Sequence, residues 1–118
     1  MPEFRYIVDT DRYDEMVAFY RDGCGFPVSH DWEVSEIETY RGSVLSAADG
    51  FVEIREREPG VLIGVETDDV DAQHERLQAA GAAILLAPVT MPWGHRHFAV
   101  LDPDGNRVAF FQKVDQTG

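Results

Sequence analysis

Two short alternating runs hold the side chains with the most chemistry. Glu53 and Arg55 stand two apart in Phe51-Val52-Glu53-Ile54-Arg55, and His95 and His97 stand two apart in His95-Arg96-His97. Residues two apart on a β-strand project from one face, so the first run offers a carboxylate beside a guanidinium and the second offers two imidazoles. A carboxylate in a pocket can hold an amine, ligate a metal or act as a general base. Two imidazoles are half of a metal site, but no third ligand stands near them, so they read more readily as polar residues of a pocket wall or the surface. His74 shares a helix face with Val70 and Leu77 and reads as a packing residue. Asp68, Asp69 and Asp71 lack the spacing of an EF-hand loop and read as a helix-capping cluster. Cys24, between Gly23 and Gly25, reads as a small buried residue at a helix end, with no base partner to make it a nucleophile.

The elements that must position these groups occur twice in the same order. Phe4 to Val8 is a β-prone run, followed by Tyr13, Met16, Val17 and Tyr20 at helical spacing, with Asp9, Thr10 and Asp11 as caps or first-turn residues and Gly23 and Gly25 at the end. Strands are expected over Pro27–Glu33, Thr39–Ala47 and Phe51–Arg57, with Asp49-Gly50 turning the last hairpin. After Pro59-Gly60 the series restarts: a strand over Val61–Val65, a helix capped by Asp68 or Asp69 and closed after Ala80 by Gly81, then strands near Ala83–Leu86, His95–Leu101 and Arg107–Lys113. Asp102-Pro103-Asp104-Gly105-Asn106 is the turn before the last strand. Aligning Phe4 with Leu62 and Gly25 with Gly81 makes the chain an internal duplication. The expected fold is α+β: one domain, 1–118, of two βαβββ modules (about 1–58 and 61–118) curling into a cup-shaped or half-barrel sheet with helices outside.

Composition narrows the partners. One hundred and eighteen residues with 44% apolar content suit one folded domain. The net charge of −12 repels nucleic acid and anionic lipid and attracts cationic small molecules. No apolar run is long enough for a membrane helix. With no basic and apolar leader at the N-terminus and only one cysteine, the expected location is the cytoplasm.

Several segments together resemble the glyoxalase/bleomycin-resistance/dioxygenase (vicinal oxygen chelate) superfamily. They are Ala18-Phe19-Tyr20-Arg21-Asp22 with Gly25-Phe26, Asp68-Asp69-Val70-Asp71, Leu77 with Gly81, Pro92-Trp93-Gly94, and Asp102-Pro103-Asp104-Gly105-Asn106. The resemblance implies four metal-ligand positions, on the first and last strands of each module. They fall on Phe4, Glu53, Leu62 and Ala109, so three of four are apolar and no metal or other cofactor is expected. Strand alternation then sends Phe4, Tyr6, Glu53, Arg55, Leu62, Gly64, Ala109 and Phe111 into the cup, with Trp93, Trp32 and Tyr40 as further rings. This lining suits a hydrophobic, aromatic or cationic ligand. The resemblance is nearest to the metal-free bleomycin-resistance branch, which implies a bacterial homodimer that sequesters a small molecule and points to antibiotic resistance. The alternative is a lyase, isomerase or dioxygenase with a non-standard metal site, or with Glu53 as base. The balance leans away from catalysis, and no catalytic residue is assigned.

Overall fold

A computed structural model describes residues 3–34 and 40–114. The chain divides into two compact units, Arg5–Val61 and Leu62 onward, the latter joined by the chain start up to Phe4. Each follows a βαβββ order, and the fold is α+β.

The N-terminal series is β1 (Phe4–Thr10), α1 (Tyr13–Ala18) running on into a π-helical turn (Phe19–Gly23), β2 (Val28–Val34), β3 (Tyr40–Ala47) and β4 (Gly50–Glu56). The strands lie in the order β2-β3-β4-β1, with β1 parallel to β4 and the other pairs antiparallel. The helical spacing read from the sequence produces the core: Tyr13 and Val17 are buried against Leu45, Val52 and Ile54, with Met16 and Tyr20 packed at the margin. The π turn closes through Cys24 N–H donating to the Phe19 carbonyl, and Gly25 leaves it at φ 76°.

Three local expectations need correction here. Cys24 ends the helical segment but is exposed, not buried. Asp9 caps nothing. It is buried and ion-paired with Arg55, while Thr10 Oγ1 accepts from the Arg12 N–H. The β3–β4 hairpin turns on Ala48-Asp49, because Ala47 pairs with Gly50; Ala48 sits at φ 52°. Thr39, expected to open the third strand, lies outside the described residues.

The C-terminal series is β5 (Gly60–Glu66), α2 (Val70–Ala79), β6 (Ala83–Met91), β7 (His95–Leu101) and β8 (Arg107–Lys113), in the order β5-β8-β7-β6 with β5 parallel to β8. Its core is Val70, Phe98 and Val100, with Phe110 stacked on Phe98 at 5.3 Å and His74 edge-on to the same ring. His74 is therefore a packing residue, as its spacing implied. Strand β6 runs five residues beyond the expected Leu86, through Pro88. Among the described residues of its unit it is paired only with β7, and it is broken by register shifts, which is where a strand tolerates proline. In the turn before β8, Asp102 Oδ1 accepts from the N–H groups of Asp104 and Asn106, and Gly105 takes φ 86°. No helix among the described residues is long and apolar enough to cross a membrane.

Of the two possible caps of α2, the structure selects Asp69, whose Oδ1 accepts from the Ala72 N–H at 3.0 Å. Thermal or urea denaturation should show Asp69→Ala losing about 1 kcal/mol while Asp68→Ala changes stability by less than about half that.

Candidate functional site

Strand register decides which side chains share a face. In the N-terminal unit Val52 and Ile54 belong to the helix side, and β1 and β4 pair Tyr6 with Val52, Ile7 with Glu53 and Asp9 with Arg55. Paired residues point the same way, so Arg5, Ile7 and Asp9 share the face of Phe51, Glu53 and Arg55, opposite the helix. Tyr6, and Phe4 by alternation, belong to the helix side. Both are substantially exposed, Phe4 at 50%. The expectation that Phe4 and Tyr6 line one surface with Glu53 and Arg55 therefore fails by one residue, and on a strand one residue is a whole face.

The same register revises the internal alignment. Ile7 pairs with Glu53 as Gly64 pairs with Ala109. Arg5 thus answers to Leu62, at an offset of 57 residues (62 minus 5) where the Phe4 alignment took 58.

Glu53 is the centre of this face. It is buried at 9% exposure, and each carboxylate oxygen holds a protein donor: Arg5 Nη1 at 3.0 Å from Oε1, and Trp32 Nε1 at 2.8 Å from Oε2. Arg55 does not neutralise Glu53. It forms a two-pronged pair with Asp9, at 2.6 and 3.0 Å. Rings surround the two ion pairs. Trp32 meets Tyr40 edge-on at 5.5 Å, Arg57 lies over Tyr40 at 5.0 Å, and Arg5 lies over Phe51 at 5.6 Å.

Trp32 is seated by an absence. Its strand partner is Gly42, and a Cβ there would fall 2.0 Å from the indole ring carbons. The glycine is a notch into which the ring lies flat, aiming Nε1 at Glu53.

In the C-terminal unit Leu62, Gly64, Ala109 and Phe111 do share the face opposite α2. His95 and His97 join them, since β7 pairs His97 with Phe111 and Ala99 with Ala109. The His95 ring lies 5.6 Å from Phe111, and burial, reinforced by His95, lowers the His97 pKa. Trp93 is separate from this group, on the β6–β7 turn and 61% exposed.

On the helix side of the N-terminal unit, a groove of about 580 Å³ runs past Tyr13, Asp31, Glu33 and Arg41. Many of its polar groups already serve one another. Ser43 links the Tyr13 hydroxyl to Asp31, and Arg41 lies 4.3 Å from the Tyr13 ring centre while pairing with Glu56 and Asp14.

Residues 5–110 match the Glyoxalase/Bleomycin resistance protein/Dioxygenase superfamily. The chain belongs to this superfamily. It is 26% identical to the bleomycin resistance protein of Geobacillus stearothermophilus, over 83% of this chain and 86% of that protein. Among solved structures, it is similar to a superfamily member from Vibrio splendidus 12B01 (TM-score 0.76, 20% identity, 96% of this chain and 100% of that chain). It is also similar to methylmalonyl-CoA epimerase from Mycobacterium tuberculosis (TM-score 0.72, 14% identity, 95% and 87%). These two likenesses establish the fold.

The superfamily's metal does not fit the residues here. At the first ligand position the register puts Arg5, a cation, in place of Phe4, and Glu53 is already bonded to it. Leu62 and Ala109 have no donor atoms, and among the described residues no three His, Cys, Asp or Glu side chains gather closely enough to hold a metal.

Sequence reasoning missed Arg5, Asp9 and Gly42. A signal for the first two was present: Arg5 and Asp9 stand at like alternation on β1, and their charges complement Glu53 and Arg55 on β4. Gly42→Ala should evict the Trp32 ring, at a stability cost of about 1–3 kcal/mol. In a Trp93→Phe background, where Trp32 is the remaining indole, the substitution should shift the emission maximum; an unchanged spectrum would mean that the notch does not seat the ring.

Proposed function

We propose that this chain binds a small hydrophobic, aromatic or cationic molecule without a metal or other cofactor, and sequesters it without turning it over. The observation that carries this reading is the state of Glu53: both oxygens are engaged by protein donors, and the matching positions of the other unit are Leu62 and Ala109. A face closed in this way has rings and methyl groups to offer. Trp32, Tyr40 and Phe51 supply them in one unit, and Phe111, His95, Leu62 and Ala109 in the other. The net charge of −12 draws cations from a distance, and cation–π contacts add about 0.5–2 kcal/mol each. The bleomycin resistance relative supports capture over turnover.

Catalysis with Glu53 as base, the reading that the epimerase neighbour invites, would first require the Arg5 pair to open. Exposed Phe4 and Tyr6, with Leu86 and Val89 on β6, favour a second copy of the chain as cover, giving a homodimer. The single cysteine suits a reducing cytoplasm.

A thermal-shift screen with bleomycin-like cationic drugs, aromatic metabolites and divalent metals tests the proposal. A true ligand at a hundredfold excess over Kd stabilises by about 2.7 kcal/mol. The expected hits are aromatic or aromatic-cationic compounds, recovered unchanged after incubation. One nickel, zinc or iron retained per purified chain, or a hit converted to product, would overturn the proposal.

A further inference from the structure

Arg5 does more than fill a position that could have held a metal ligand. Its Nη1 stands 3.0 Å from Glu53 Oε1, both side chains are largely withdrawn from water, and its guanidinium lies over the Phe51 ring. On the other carboxylate oxygen the Trp32 N–H sits at 2.8 Å, with its ring held in the Gly42 notch. A cation approaching Glu53 from outside, whether a metal ion or a ligand amine, would have to displace a guanidinium and break an indole hydrogen bond. It would gain only what those donors already supply. The carboxylate is saturated from within.

We infer that Arg5 is the specificity-determining residue of this face: by occupying Glu53 as a built-in cation, it withdraws the carboxylate from metals and amines. What remains for a ligand in this unit is the aromatic wall of Trp32, Tyr40 and Phe51, which takes uncharged flat rings. The inference rests on the metal-free binding reading only in treating this face as the one that meets ligand, and it narrows that reading. Glu53 anchors Trp32, and selection for a cation, where it occurs, comes from the long-range field and ring faces.

Two small probes test Arg5 without knowledge of the ligand. The first is Ni²⁺, titrated by calorimetry into the wild type, Arg5→His and Arg5→His/Glu53→Gln. The wild type should show no binding that depends on Glu53. Arg5→His, which puts an imidazole beside the carboxylate, should bind about tenfold more tightly or better, and the double variant should lose the gain. The second probe is methylguanidinium at low millimolar concentration, far below denaturing levels. It should raise the melting temperature of Arg5→Ala more than choline chloride does, and should leave the wild type and Arg5→Ala/Glu53→Gln unmoved. Should Arg5→Ala fail to fold, Arg5→Lys, which keeps the charge but loses the fork, takes its place. Ni²⁺ binding by the wild type that vanishes in Glu53→Gln would overturn the inference, as would rescue by choline equal to that by methylguanidinium. Neither probe is the physiological ligand, so an empty thermal-shift screen would count against sequestration and leave this result standing.

Discussion

A carboxylate withdrawn from water must be paired, and the face of the N-terminal unit is arranged around how Glu53 meets that requirement. Burial of an ion costs several kcal/mol, which only close partners offset. Arg5 supplies the opposite charge and Trp32 a second donor, so both Glu53 oxygens are partnered without recruiting anything from solution. The neighbouring constraints follow from this. Trp32 must lie flat to reach Oε2, which requires Gly42 to lack a side chain. Arg55, with Glu53 already taken, has its carboxylate partner in Asp9. Two Arg–carboxylate pairs thereby cancel four charges on a surface whose other conspicuous members are rings and the Arg57 guanidinium over Tyr40.

The duplicated unit solves a different problem at the same places. Where one copy carries Arg5 and Glu53, the other carries Leu62 and Ala109 and needs no pairing. On that face strand β7 places His95, whose ring lies beside Phe111, and His97, whose pKa burial lowers, while the pairing of Leu62 with Arg107 and of Phe111 with Glu66 brings charged groups to the same side. At the Glu53 position and its counterpart the two copies avoid an unpaired charge by opposite means, one by internal neutralisation and one by apolar substitution. Neither arrangement offers the set of donor side chains that metal-assisted chemistry needs.

Much of the fold was legible because hydrophobic periodicity is a local signal. Tyr13, Val17, Val70 and Leu77 announced the helices, and Asp102 to Asn106 announced a turn whose side chain caps its own backbone. The succession of strands and helices along the chain followed from the repeat. The site was less legible, since its geometry depends on parallel register between segments some 48 residues apart, as in the Arg5–Glu53 bond. Sequence spacing cannot fix such a register to one residue. An offset of 58 instead of 57 moved Phe4 and Tyr6 onto the wrong face and hid Arg5, although the complementary charges of β1 and β4 would have corrected it. Trp32 was visible as a ring, but its direction depended on Gly42, whose importance shows only when the two strands are paired.

The most direct measurement is a double-mutant cycle between Arg5 and Glu53, using Arg5→Ala, Glu53→Gln and the double variant in urea denaturation. If Arg5 is the internal partner of a buried carboxylate, its removal alone should cost about 3–5 kcal/mol. Much of that loss should disappear once Glu53 is already glutamine, giving a coupling energy of about 2–3 kcal/mol. Losses that add to within about 0.5 kcal/mol would show the two residues to be energetically independent and would contradict the account.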